Sequence, residues 1–179
     1  MKKSYWILSA FILAGLCGCS SRNLPEWFQS EQEGADHVMR KIADACNAQD
    51  TEKMMKLFSE SSKKKLPDLE EEIRTLFQYL EGNQIIDFEG DCASSSENAH
   101  GRGRVEWLGM YELSASDKEY FMNFYMYSED EENPQNIGIY KLEIAAAEET
   151  EKDDFMWNYP ETGIFIAGQS EAKGNEEEQ

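Results

Sequence analysis

The chain has 179 residues, 40% of them hydrophobic, which suits one domain with a buried core. It carries 17 lysines and arginines against 36 aspartates and glutamates, a formal net charge of −19. So acidic a surface repels nucleic acid and anionic lipid headgroups, which excludes nucleic acid as a partner and keeps the chain soluble.

The first element is an export signal. Lys2 and Lys3 precede an apolar run from Tyr5 to Leu16. A spanning helix needs roughly 18 or more apolar residues, so this run has the length of a signal-peptide core. It ends in Leu16-Cys17-Gly18-Cys19, which resembles the lipobox of bacterial lipoproteins: aliphatic, variable, small, cysteine. Cys19 fits the acylated position, with Leu16 at −3 and Gly18 at −1. Cys17 fits worse, because bulky Leu16 stands before it. The resemblance implies a signal peptide over residues 1–18, a diacylglyceryl group on Cys19, and lipid anchoring to the extracytoplasmic face of a cell membrane, for which two acyl chains suffice. An ordinary secretory peptide or an uncleaved anchor is the alternative. Residues 19–30 then form a tether. Loss of Lys2 and Lys3 with the first 18 residues takes the formal charge from −19 to −21. Cys46 and Cys92 remain as cysteines. Outside the cytoplasm a disulfide is permitted, and the sequence leaves a Cys46–Cys92 bond and two buried thiols both open. Neither lies in a C-x-x-C, which argues against redox or zinc chemistry.

Helices come next. Ser30-x-x-Glu33 matches a capping box, and Ala35, Val38, Met39, Ile42, Ala45 and Cys46 follow at helical spacing, so a first helix is expected over residues 31–48. Asp50 or Thr51 caps a second, with Met54, Leu57 and Phe58 inside; Lys63-Lys64-Lys65 and Pro67 interrupt it. A third runs from Asp68 with Leu69, Ile73, Leu76, Phe77 and Leu80 on one stripe, and Gly82 stops it.

After Gly82 the period changes to that of strands. Residues 84–90 are built on Ile85, Ile86 and Phe88, and residues 93–98 read as a polar loop. Residues 103–113 alternate, with Val105, Trp107, Tyr111 and Leu113 pointing one way. Residues 114–117 turn. Residues 119–127 are apolar on both faces, as in a covered central strand. Residues 128–136 form an acidic hairpin loop, and residues 137–147 a last strand. Phe155, Trp157, Tyr159, Ile164, Phe165 and Ile166 are expected to dock a C-terminal arm on the domain. Residues 169–179 are polar and acidic, as in a disordered tail. The order predicts an α+β domain over residues 31–168: three N-terminal helices packed on a curved antiparallel sheet of about four strands.

Ala45-Cys46-Asn47-Ala48-Gln49-Asp50 followed by Leu57-Phe58 resembles the opening of nuclear transport factor 2-like (cystatin-like) domains. The run Asp130-Glu131-Glu132-Asn133-Pro134-Gln135-Asn136-Ile137-Gly138-Ile139-Tyr140 is similar to a family of Gram-positive lipoproteins of unknown function with that fold. The resemblance implies a cone-shaped domain whose helices and concave sheet enclose an apolar pocket, but it carries no activity with it. Some relatives in the fold are isomerases, dehydratases or hydrolases, and the fold often dimerises through its outer sheet face.

No catalytic constellation stands out. His37 points to solvent on the first helix and His100 lies in a loop. Trp107, Tyr111, Tyr125 and Tyr140 are the candidates to line a ligand pocket, against the plainer reading as core. The acidic loop lacks the calcium-binding spacing of an EF-hand. Gly101-x-Gly103 is no dinucleotide fingerprint, because Glu106 takes the third glycine's place. Tyr159-Pro160-Glu161-Thr162-Gly163 differs from a sortase signal at its first position and lacks a basic end. No cofactor or metal is implied. The expectation is a non-catalytic, membrane-tethered domain that binds a small apolar ligand or a protein partner. The alternatives are an isomerase- or hydrolase-type enzyme using the cone and a homodimeric assembly protein.

Overall fold

The computed structural model describes residues 26–99, 102–157 and 162–167. The signal segment, Cys19, most of the tether, His100, Tyr159 and residues 169–179 lie outside the described residues.

Four helices come first, one more than expected. α1 (Glu26–Ala48) begins before the Ser30/Glu33 pattern, which therefore sits inside it. Residues 26–33 hold no proline or glycine, so nothing there stops the helix. Ala35, Met39, Ile42, Ala45 and Cys46 are buried at the spacing of one helical face. α2 (Thr51–Met55) is capped by Asp50, whose carboxylate accepts from the Lys53 N–H at 2.9 Å. The lysine run does not interrupt helix; it forms the last turn of α3 (Glu60–Lys65), where cations favour the negative helix end. Ser59 caps α3, its Oγ accepting from the Ser62 N–H at 3.1 Å. α4 (Leu69–Tyr79) buries Leu69, Ile73, Leu76 and Phe77, and the chain leaves it through Gly82 at φ +79°.

β1 (Ile85–Ala99), β2 (Arg102–Ala115), β3 (Glu119–Asp130) and β4 (Gly138–Ala146) form an antiparallel meander. After a short helix α5 (Ala147–Thr150), β5 (Gly163–Ile166) joins β4 in parallel. The sheet is therefore mixed and five-stranded, in the order β1-β2-β3-β4-β5, where a purely antiparallel sheet of about four was expected. Residues 93–98 are strand rather than loop. They pair with β2 from Leu108 down to Gly103, and their exposed side chains show no alternation that would mark them. Register shifts at Ile85/Asp87, Val105/Glu106 and Tyr125/Met126 bend the strands.

The helices cover one face of the sheet. Met39, Ile42 and Met54 pack there with Tyr111, Leu113, Met122, Phe124, Leu142 and Ile144 in one cluster, none more than 2% exposed. Burial of each such side chain contributes about 1.5–3 kcal/mol. Two glycines permit close approaches: a Cβ on Gly109 would stand 2.3 Å from the Phe124 ring, and one on Gly34 would stand 2.5 Å from the Trp107 ring. The C-terminal arm divides between the faces. Ile164 and Ile166 join the main core, whereas Phe155, Trp157 and Phe165 pack with Ala145 and Ala167 in a second, smaller cluster.

Candidate functional site

Trp107, Tyr111, Tyr125 and Tyr140 do not line one cavity. Residues paired across an antiparallel ladder project from the same face of the sheet. Trp107 and Tyr111 pair with Met126 and Met122, whereas Tyr125 pairs with Leu108. The first two therefore face the helices, and Tyr125 lies on the opposite face with Tyr140.

On the helix side, Tyr111 stacks on Phe124 with centroids 5.9 Å apart and meets Phe88 edge-on at 5.7 Å. Its hydroxyl donates to Asp36 Oδ1 at 2.8 Å. Burial first, then the bonded carboxylate, hold its pKa above the ordinary tyrosine value, so it acts as a neutral donor. Trp107 lies against α1 at Gly34, and its indole N–H has no partner among the described residues. These side chains occupy the space between α1 and the sheet where an apolar pocket was expected.

On the opposite face, Tyr140 donates to Glu106 and stacks on Tyr127, with centroids 5.1 Å apart. Burial, then the bond to Glu106, raise the Tyr140 pKa. The Arg104 guanidinium stands 5.2 Å from the Tyr127 ring. Lys141 Nζ lies 2.7 Å from Glu143 Oε1 and 4.3 Å from the Tyr125 ring centre. Glu143 Oε2 accepts from Tyr125 Oη at 3.3 Å and Asn123 Nδ2 at 3.4 Å. Each buried charge is thus matched by a partner, the arrangement that lets an ion pair persist out of water.

Cys46 and Cys92 are two free, buried thiols, so the disulfide left open by the sequence is not formed. The Cys92 N–H donates to Gln32 on α1. Cys46 lies fourteen residues further along that helix, about 21 Å at 1.5 Å per residue, far beyond the reach of a disulfide. Burial pushes Cys46 up to about 12 and Cys92 to about 11, the latter with help from Glu31 and Asp36.

His37 is exposed on α1. The acidic hairpin turns its carboxylates onto its own chain. Asp130 accepts from the Asn133 N–H at 2.7 Å and Asn136 Nδ2 at 2.9 Å. Its burial acts to raise the pKa, but these bonds outweigh it and hold the carboxyl below its ordinary value. Glu131 accepts from the Gly103 N–H at 2.8 Å. Among the described residues no group of three or more histidine, cysteine, aspartate or glutamate side chains is placed to hold a metal ion. No helix among them is long and apolar enough to cross a membrane.

A groove of about 450 Å³ opens instead between α1 and β1, at the rim of the packed interior. Among the described residues β1 is an edge strand, paired only with β2. From α1 come Asp36, Arg40, Asp44 and Asn47; from β1 come Ile86, Asp87, Phe88 and Glu89. Side-chain amides pin both ends of the groove. Asn47 Oδ1 accepts from the Ile85 N–H at 2.7 Å, and its Nδ2 donates to the Ile85 carbonyl at 2.8 Å. Gln32 Oε1 accepts from the Cys92 N–H at 2.8 Å, and its Nε2 donates to the Gly90 carbonyl at 3.2 Å and to Asp36 Oδ1 at 2.8 Å. Between them the Arg40 guanidinium stands 5.7 Å from the Phe88 ring centre. The bulge at Ile86 leaves that side chain 72% exposed.

From α1 the carboxylates of Asp36 and Asp44 stand beside the Arg40 guanidinium, whereas Asp87 and Glu89 pair with Ser114 and Glu112 and project to the opposite face, so β1 lends the groove its main chain and the Phe88 ring. Reading the sequence for function missed these residues. Their signal is a polar row along α1, Gln32, Asp36, Arg40, Asp44 and Asn47, at spacings of four, four, four and three. That row runs beside the apolar one and passes for a solvated helix face.

No curated protein matches the chain significantly. A family model does: residues 41–151, from the second half of α1 through α5, match the domain of unknown function DUF5104, and the chain belongs to that family.

Proposed function

We propose that the chain is a lipid-anchored, extracytoplasmic binding domain of nuclear transport factor 2-like form, without catalytic chemistry, and that it engages its partner through the α1–β1 groove. The observation that carries this reading is a contrast. The helix-facing side of the sheet is closed by Tyr111, Phe124 and Met122, all at most 2% exposed, while the adjoining edge is open and lined by fixed polar groups. Helices gathered on one face of a bulged sheet support the cone, and Leu16-Cys17-Gly18-Cys19 supports the anchor. The non-catalytic reading draws on the interior. Asp36 is engaged by Tyr111 and Gln32 rather than poised as a base, and His37 is exposed.

Photo-cross-linking residues at Arg40 or Asp44, introduced in the native host, are expected to trap a partner there. The same residue at Met110, on the opposite sheet face, is expected to trap none. Adducts from Met110 alone would overturn the groove assignment. Cys19→Ser is expected to release the chain from the membrane fraction, and unaltered fractionation would overturn the anchor. A second reading places another copy of the chain on the outer sheet face, where Met110 is 42% exposed. Sedimentation as a strict monomer would remove it.

A further inference from the structure

We propose that the far end of β1, residues 94–98, pairs with the same stretch of a second copy of the chain, so that two anchored domains share one continuous sheet at the membrane. The inference rests on the reading of Cys19 as a lipid anchor and not on the α1–β1 groove.

The outer edge of β1 differs along its length. Gln32 accepts from the Cys92 N–H and donates to the Gly90 carbonyl, so these even-numbered residues turn their main-chain groups away from β2. Residues 87–99 keep an unbroken register with β2. The period of two therefore aims the N–H and carbonyl of Ser94, Ser96 and Asn98 outward as well. There α1 gives out: its furthest hydrogen bond along the strand, among the described residues, is Glu31 accepting from the Ser94 hydroxyl at 2.7 Å. Residues 93–98 are all exposed, and among the described residues no further strand and no side chain takes up those outward groups. Natural edges are blunted by lysine, proline or a bulge. Residues 93–98 read Ala-Ser-Ser-Ser-Glu-Asn and hold none of these. Their one charge, on Glu97, is paired with Arg104 at 2.7 Å.

The stretch is complementary to itself. Antiparallel pairing about Ser96 sets Ser96 against its own copy and Ser94 against Asn98, and each such pair exchanges both main-chain hydrogen bonds. Glu97 then faces Ser95, so no like charges stand opposite one another. Directly opposed residues project from the same face, which puts the helices of both copies on one side of the joint sheet. Residues 20–25 lead from Cys19 into α1, and α1 meets this end of β1 through Glu31 and Ser94. Both tethers thus leave the pair from one side, as a single membrane requires. Packing through the outer sheet faces would send the two helical layers to opposite sides. Two acidic chains repel in solution, and the paired edge is short, so association depends on the anchors, which confine both copies to one plane and raise their effective concentration.

The test places Ser96→Cys in the full chain in its native host, oxidises the membranes and reads disulfide-linked dimer on a non-reducing gel. Opposed Cα atoms about 5.5 Å apart suit a disulfide, and the native thiols are buried. Ser96→Cys is expected to cross-link and Met110→Cys, on the outer sheet face, is not. In a Ser94→Cys/Asn98→Cys chain, which cross-links in the same register, Ser96→Pro is expected to cut the yield about tenfold, since each copy loses its Ser96 bond to the other. Proline there removes only an outward N–H, a change that an edge strand tolerates, so the melting temperature is expected to hold. Ser95→Lys, facing Glu97 of the other copy, is expected to raise the yield, a gain that loss of structure does not produce. No dimer through Ser96→Cys, or a yield unmoved by proline, would overturn the inference. Dimer through Met110→Cys alone would overturn it in favour of the outer face, and Ser96→Cys adducts only with a different protein would overturn it in favour of a foreign strand. Cys19→Ser separates the two claims: a chain that stays in the membrane fraction removes the anchor, whereas an anchored chain without Ser96→Cys dimer removes only the pairing.

Discussion

Asn47 grips Ile85 by both main-chain groups, taking its N–H at 2.7 Å and giving to its carbonyl at 2.8 Å. One side chain near the end of α1 thereby sets where β1 begins, 38 residues later in the chain. Gln32 repeats the device at Gly90 and Cys92, so the helix and the edge strand are joined at two points with the groove between them.

Removing either amide frees buried main-chain groups. Asn47→Ala leaves the N–H and carbonyl of Ile85, a residue only 6% exposed, without their partners. The expected cost is about 1–3 kcal/mol, which lowers the melting temperature by roughly 2–4 °C per kcal/mol in a chain of this size. Amide hydrogen exchange at Ile85 is expected to accelerate, while protection at Leu142, within the sheet, falls only by the global loss. An unchanged melting temperature would show that the amide does not hold the strand.

Gly34 and Trp107 are coupled by contact. Alanine is normally favoured over glycine inside a helix by about 1 kcal/mol, yet a Cβ on Gly34 would meet the Trp107 ring at 2.5 Å. Gly34→Ala is therefore expected to destabilise, the overpacking costing about 1–3 kcal/mol. In a Trp107→Leu background the same change is expected to become neutral or stabilising. Urea denaturation of the four-protein cycle reads the difference; additive effects would show that the ring does not rest on the helix.

Alkaline pH is expected to weaken the fold. In the unfolded chain each thiol ionises near its ordinary 9.0, whereas in the fold Cys46 is held at about 12 and Cys92 at about 11. Between these values the folded state keeps protons that the unfolded state has lost. The stabilisation is full below about pH 9 and is lost as pH rises through the folded values. Tyr111 and Tyr140, both raised mainly by burial, act in the same direction. The urea midpoint should fall between neutral pH and pH values of about 10–11, and thiol reagents should modify Cys46 and Cys92 only after denaturation. Equal midpoints, or rapid labelling of the native chain, would contradict the burial of these groups.

The apolar part of the fold was legible in the sequence because it is periodic. Met39, Ile42 and Cys46 recur at helical spacing and Tyr111 and Leu113 at strand spacing, and the fold buries them as that pattern implies, with Trp107 half-buried against the same core and Val105 outside it. What escaped lacks a period. Residues 94–98 are polar on both faces and become strand only because β2 pairs with their backbone. β5 is four residues long and owes its place to Lys141–Ile144 alongside it. Trp107 and Tyr125 looked like parts of one pocket because cross-strand register, which sends them to opposite faces, is not written in either strand alone. The groove escaped for a related reason. Asp36, Arg40 and Asp44 read as a wet helix face until the edge of β1, more than forty residues further on, is set against them.

Backbone chemical-shift mapping of the chain against an extract of its native host's membranes asks most directly where this domain meets its partner. Engagement of the groove predicts perturbations at Arg40, Asp44, Asn47 and Phe88, with Leu113, Met122 and Leu142 unmoved. Perturbations confined to Leu113, Met122 and Leu142 would place binding inside the cone and contradict a closed interior.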